Sequence, residues 1–122
     1  RPWLPVPADH LARSVASQAG DPNGLPAHYR RAIALRHAHP ALRSGAQMEM
    51  RAEGNVIRFV RSAADERIFV AVNLSEAPAV VEGPGQGWHI IGAELGGAAP
   101  GPDGKINLEP WQCCLLAERR DA

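Results

Sequence analysis

Residues 29–45 read YRRAIALRHAHPALRSG, and residues 46–51 continue AQMEMR. The first stretch has the spacing of a helix and the second alternates as a strand does, so the chain changes secondary structure within a few residues of Pro40. Upstream, Leu25, Tyr29, Ala32, Ile33 and Leu35 fall on one broad side at helical spacing, and Pro26 lies in the first turn, where its missing N–H costs nothing. Pro40 pushes His39 out of helical geometry, so the spacing predicts a helix over 25–38, about 21 Å long at the usual rise. A step of about 100° per residue sets Arg36 between Leu25 and Tyr29, inside the apolar side. A guanidinium buried there needs partners. It is either a structural arginine held by a carboxylate or by carbonyl oxygens at a helix–sheet junction, or a substrate-binding one.

Beyond Leu42 the period is two. Ala46, Met48 and Met50 alternate with Gln47, Glu49 and Arg51, and Glu53-Gly54-Asn55 turns the chain into VIRFVR at 56–61. A second turn over 62–66 leads into RIFVAVNLS at 67–75, apolar on both faces as expected of a strand covered on each side. AVVEG (79–83), WHIIGAEL (88–95), KINLE (105–109) and QCCLLAE (112–118) follow, separated by Gly/Pro-rich turns. Seven short strands predict a mainly β chain, an antiparallel β-sandwich preceded by an extended segment and one α-helix. In the Pro/Gly-punctuated residues 1–24, ADHLARSVASQ (8–18) can form one short helix.

Thirteen basic and 13 acidic residues leave no net charge, which argues against nucleic acid and anionic membrane as partners. Apolar runs such as IFVAV at 68–72 are far shorter than the roughly 20 residues a membrane helix needs. The opening RPWLPVP has no initiator Met and reads as neither signal nor transit peptide, as in an interior cut of a longer protein. Adjacent Cys113 and Cys114 point to opposite faces of a strand and cannot pair with each other, which favours a reducing, cytoplasmic setting.

Chemistry is sparse. His37 and His39 diverge on a helix end with no third ligand, so no metal is expected; Gly96-Gly97 is followed by neither Lys nor Ser/Thr, and no G-x-S-x-G occurs. No cofactor and no catalytic residue is expected. Asp65-Glu66 read as acids of a solvated turn. Trp88 and Trp111 read as packed in the core or at a sheet edge, while Trp3 is open to other roles.

PWLPV at 2–6, SQAGDPNG at 17–24, HYRRAIALRHAHPAL at 28–42 and RIFVAVNLS at 67–75 together resemble the C-terminal region of α-glucosidases of the α-amylase superfamily, glycoside hydrolase family 13, near the oligo-1,6-glucosidase and maltose-type branch. The resemblance covers nearly the whole chain, and its strongest element is Y-R-R-x-I-A-L-R-x-x-H-P-A-L. The chain departs from the family at Gly24, where a capping residue such as Ser is usual, and at Pro26, where an apolar residue is usual. The resemblance implies two parts. Residues 1–41 would be the end of a (β/α)₈ barrel, its exit loop and final helix, with Tyr29, Arg36 and Pro40 as structural residues. Residues 42–122 would be the C-terminal sandwich. PWLPV would lie on the approach to the barrel mouth, which makes Trp3 the one residue tied to the substrate side. The three acids of the family's retaining chemistry would lie upstream, so this chain would be the non-catalytic end of an enzyme that removes terminal α-linked glucose from short oligosaccharides. Its partner would be the upstream barrel of the same polypeptide, and without it the exposed flank of the helix invites self-association. The rival readings are a carbohydrate-binding sandwich and a protein-interaction domain.

Overall fold

The computed structural model describes residues 3–118; Arg1 and Pro2, with which the RPWLPVP opening begins, and residues 119–122 lie outside them. The stretch over 8–18 is two short helices, α1 (Ala8–Ala12) and α2 (Val15–Gln18), because the Ser14 Oγ takes the Ser17 N–H at 3.2 Å and restarts the helix. The main helix, α3 (Leu25–Ala38), has the limits its spacing predicts, although Gly24 offers it no side-chain cap. His39 is extended (φ −118°, ψ 107°), as the residue before a proline should be. Pro40 then opens a further helix that the one-helix expectation lacks, α4 (Pro40–Ser44), because the same ring that stops one helix suits the first position of the next.

The strands are β1 (Ala46–Glu53), β2 (Val56–Ala63), β3 (Glu66–Asn73), β4 (Ala79–Glu82), β5 (Trp88–Ile91), β6 (Lys105–Leu108) and β7 (Cys113–Glu118). A five-stranded antiparallel sheet runs β1-β2-β3-β7-β5, and β4 pairs with β6 in a second sheet. Gly54 (φ 59°) opens the two-residue β1–β2 turn, where a positive φ suits the strand twist. Strand β1 does not keep its expected alternation. Three residue steps from Met48 to Arg51 face two on β2, from Val60 to Arg58, and Glu49 at φ 55° carries the bulge. Arg51, not Met50, therefore continues the Met48 side, and the whole of this edge strand is exposed.

Period-two alternation places β3 between two apolar layers. Phe69 and Ala71, with Val56 and Val60 of β2 and Cys114 and Leu116 of β7, pack on Val81, Ile106 and Leu108 of the small sheet. Ile68 and Val70 point the other way, with Ala117, onto Ala41 and half-buried Leu42 of α4. Each large side chain buried this way contributes about 1.5–3 kcal/mol. The fold is thus a β-sandwich with a helical layer on the outer face of its larger sheet.

Asn73 is buried within this core. Its Nδ2 donates to the carbonyls of Ala77 (2.7 Å) and Glu109 (3.1 Å), and its Oδ1 accepts from the Ser75 Oγ (2.8 Å). One amide thereby ties the end of β3 to the segments that enter β4 and β7, with its polar atoms satisfied. Among the described residues no helix is long and apolar enough to cross a membrane.

Candidate functional site

The helix-to-sheet join is built from three side chains, those of His39, Arg61 and Glu66, gathered on the backbone of Ala41. Ala41, fully buried at the start of α4, donates its N–H to the Glu66 Oε2 (3.0 Å), while its carbonyl takes the Arg61 Nε (3.1 Å) and the Gly45 N–H (3.1 Å). The other Glu66 oxygen receives a hydrogen bond from the His39 Nδ1. The carboxylate thus caps α4, which has no cap of its own, and pins the residue between the two helices. Gly45 is required by space: a Cβ there would lie 2.4 Å from the Ala41 carbonyl oxygen and 2.9 Å from that of Ser62. This corrects the expectation for Glu66. Asp65 is exposed in the turn, but Glu66 begins β3 half-buried against α4, because β3 starts directly beneath that helix.

Helix α3 has two unlike flanks. Leu35 packs against buried Gly92, where an added Cβ would meet its Cδ2 at 3.0 Å. Half-buried Arg31 donates from an Nη to the Pro22 carbonyl at 2.8 Å, and its Nε is buried without a hydrogen-bond partner among the described residues. Roughly a quarter-turn or more round the helix, Leu25, Tyr29 and Ile33 are 62%, 60% and 52% exposed. Arg36 lies exposed in that same stripe. The expected buried Arg36 is not found, and no partner for it appears among the described residues, because α3 is engaged through its Leu35–Arg31 side, Leu35 against Gly92 before the 93–95 turn and Arg31 against the preceding loop. Periodicity identified the residues that share a side, but not the neighbour that side would meet. Arg31, which the sequence reading passed over, is the arginine that ties the helix to the preceding loop.

The stripe continues in kind along the first helices, where Leu11 and Val15 are exposed, and Trp3 is 90% exposed. The structure does not bring Trp3 to Tyr29, Arg36 or Pro40 in any hydrogen bond, ring contact or ion pair among the described residues. Trp88 packs on the core, edge-on to Phe69 with ring centroids 6.4 Å apart. Trp111 departs from its expected packing. It is 64% exposed at φ 60° in the turn before β7, outside the strand that the QCCLLAE stretch was expected to begin.

No three His, Cys, Asp or Glu side chains among the described residues converge as a metal site would. Cys113 and Cys114 are free. Burial pushes the Cys113 thiol up; burial, then the neighbouring Cys113, push Cys114 up to about 12, so neither is a ready nucleophile at neutral pH. The strongest geometric features are therefore a rigid joint and an uncovered apolar flank beside it.

No family model matches the chain. It is 41% identical over 83 residues to a probable alpha-glucosidase of Rhizobium meliloti (strain 1021), a match that takes in 68% of this chain and 15% of that protein. With an oligo-1,6-glucosidase of Heyndrickxia coagulans it shares 26% identity over 91 residues, 74% of this chain and 16% of the relative. The solved structure of the alpha-glucosyl transfer enzyme XgtA superposes on 98% of the chain with a TM-score of 0.85 and 29% identity, and the match covers 22% of that enzyme. The chain thus spans less than a quarter of the length of each of these proteins.

Proposed function

The chain belongs to the α-amylase superfamily, glycoside hydrolase family 13, as a C-terminal region of the α-glucosidase kind, and from that premise we propose that it is the non-catalytic end of an enzyme that releases α-linked glucose from short oligosaccharides. On this reading residues 1–41 finish the catalytic barrel and residues 42–122 are the sandwich that backs it. Helix α3 is the last barrel helix, held from outside by α4, by the 93–95 turn and by the His39–Glu66–Ala41 joint. Its Leu25–Tyr29–Ile33 stripe, with Arg36 among it, turns inward to the barrel layers contributed by the same polypeptide. Trp3 then lies on the approach to the barrel mouth.

The observation that carries this reading is the two-sidedness of α3. One flank is engaged by the sandwich, while the other presents three large apolar side chains to water. Single exposed apolar residues are ordinary, whereas a stripe at helical spacing beside a built joint has the form of half an interface. Retaining hydrolysis needs a carboxylate nucleophile and a carboxylic acid about 5 Å apart, and in this reading the upstream barrel supplies both. The sandwich contributes stiffness and position, not reacting groups. Two free cysteines in one strand fit a reducing, cytoplasmic setting.

The test is hydrolysis of p-nitrophenyl α-glucoside. The purified chain is expected to release no p-nitrophenol above buffer, and a polypeptide that includes the upstream barrel is expected to turn over. Hydrolysis by the chain itself overturns the non-catalytic assignment, and an inactive longer polypeptide overturns the glucosidase reading.

A further inference from the structure

Four arginines among the described residues are half-buried, and each has an oxygen partner. Arg31 donates to the Pro22 carbonyl, Arg58 to the Glu82 carbonyl beside the Glu53 carboxylate, Arg61 to the Ala41 carbonyl, and Arg67 to the carboxylates of Glu49 and Glu118. In this chain a guanidinium that leaves water takes an acceptor with it, as the cost of burying one alone requires. Arg36 differs. It is exposed and has no hydrogen bond or ion pair among the described residues, yet it stands within the open Leu25–Tyr29–Ile33 stripe of α3. Helix α3 holds three arginines and no acid in its 14 residues. Glu66, the carboxylate at its C-terminal end, already uses both oxygens on His39 and Ala41. The imbalance extends beyond the helix: residues 1–45 carry six arginines against two acids, so the helical layer is positive although the whole chain is neutral.

We propose that the surface covering α3 is apolar opposite Leu25, Tyr29 and Ile33 and presents a carboxylate to Arg36. On the reading of α3 as the last barrel helix, on which this inference rests, that surface belongs to the upstream part of the same polypeptide. Any surface close enough to take the three apolar side chains out of water also takes the Arg36 guanidinium, because all four share about 80° of the helix. A desolvated guanidinium left without a partner would oppose the docking that the apolar groups favour. A carbonyl satisfies its N–H donors but not its charge. A carboxylate does both, and it can take two of the N–H groups at once. The α3 of a second copy would set arginine against arginine, and a nucleic acid would pair the guanidinium but leave the three apolar side chains in water.

Arg36→Lys in a polypeptide that includes the upstream barrel tests this, because a water-soluble carbodiimide joins an amine to a carboxylate only where the two already touch. Peptide mapping is expected to show coupling between position 36 and an Asp or Glu upstream of Arg1. In the same polypeptide Arg36→Gln is expected to lower the ratio of folded to unfolded protein about ten- to a hundredfold at a fixed urea concentration. In the chain alone, where Arg36 is already in water, it should change that ratio by no more than about twofold. Coupling only within residues 1–122, coupling between two copies, no coupling, or an Arg36→Gln effect equally small in both proteins would overturn the proposal. Such a failure in a longer polypeptide that still hydrolyses p-nitrophenyl α-glucoside removes only the carboxylate and leaves the glucosidase reading standing.

Discussion

Strand β3 and helix α3 both carry large apolar side chains, yet the first is covered on both faces and the second on one flank. Phe69 and Ala71 meet the small sheet, and Ile68 and Val70 meet the layer beneath α4. Leu25, Tyr29 and Ile33 meet nothing comparable. Under the proposed function, the difference separates a finished core from a surface whose partner lies elsewhere in the polypeptide. It also implies that substitutions of similar chemistry will have unequal effects in the two regions.

The largest expected effect is in the finished core. Phe69→Ala removes the ring that Trp88 meets edge-on and over which the Arg58 guanidinium lies at 5.0 Å. It should cost about 3–5 kcal/mol, read from the urea midpoint of the chain. A cost no larger than that of a surface substitution would break the contrast between β3 and α3. Next comes Asn73→Ala, which strands the carbonyls of Ala77 and Glu109 and the Ser75 hydroxyl, and is expected to cost about 1–3 kcal/mol in the same measurement. Glu66→Ala sharpens the comparison at the joint, because it removes the cap of α4 and the partner of His39 while leaving both apolar layers in place. Its expected cost is about 1 kcal/mol. Glu66→Gln, which keeps an acceptor for the Ala41 N–H, should recover most of the capping share; equal losses for the two variants would show that the cap contributes little.

Much of the architecture was legible because hydrophobic period is a local property. The limits of α3, the stop at Pro40 and the double-sided burial of β3 all follow from spacing. What escaped was tertiary in origin. The bulge at Glu49 rests on a left-handed backbone at a residue that no turn motif flags. Glu66 reads as a turn acid until β3 is seen to begin beneath α4. Arg36 was placed correctly among its helical neighbours, and only the side on which the sheet would stand was missing. The exposed position of Trp111 is equally invisible locally, since a Trp next to a strand packs more often than not.

The smallest expected effect in this chain is also the most informative, because it should become large in another context. In the chain alone, Ile33→Ser is expected to shift stability by no more than about 0.5 kcal/mol, since the side chain is already half in water. In a polypeptide that includes the upstream barrel, the same substitution should cost about 1.5–3 kcal/mol, the contribution of a buried Ile. Urea midpoints of both proteins with and without Ile33→Ser give the comparison directly. A cost that rises in the longer protein supports α3 as the shared wall between barrel and sandwich, and equally small costs in both would contradict it.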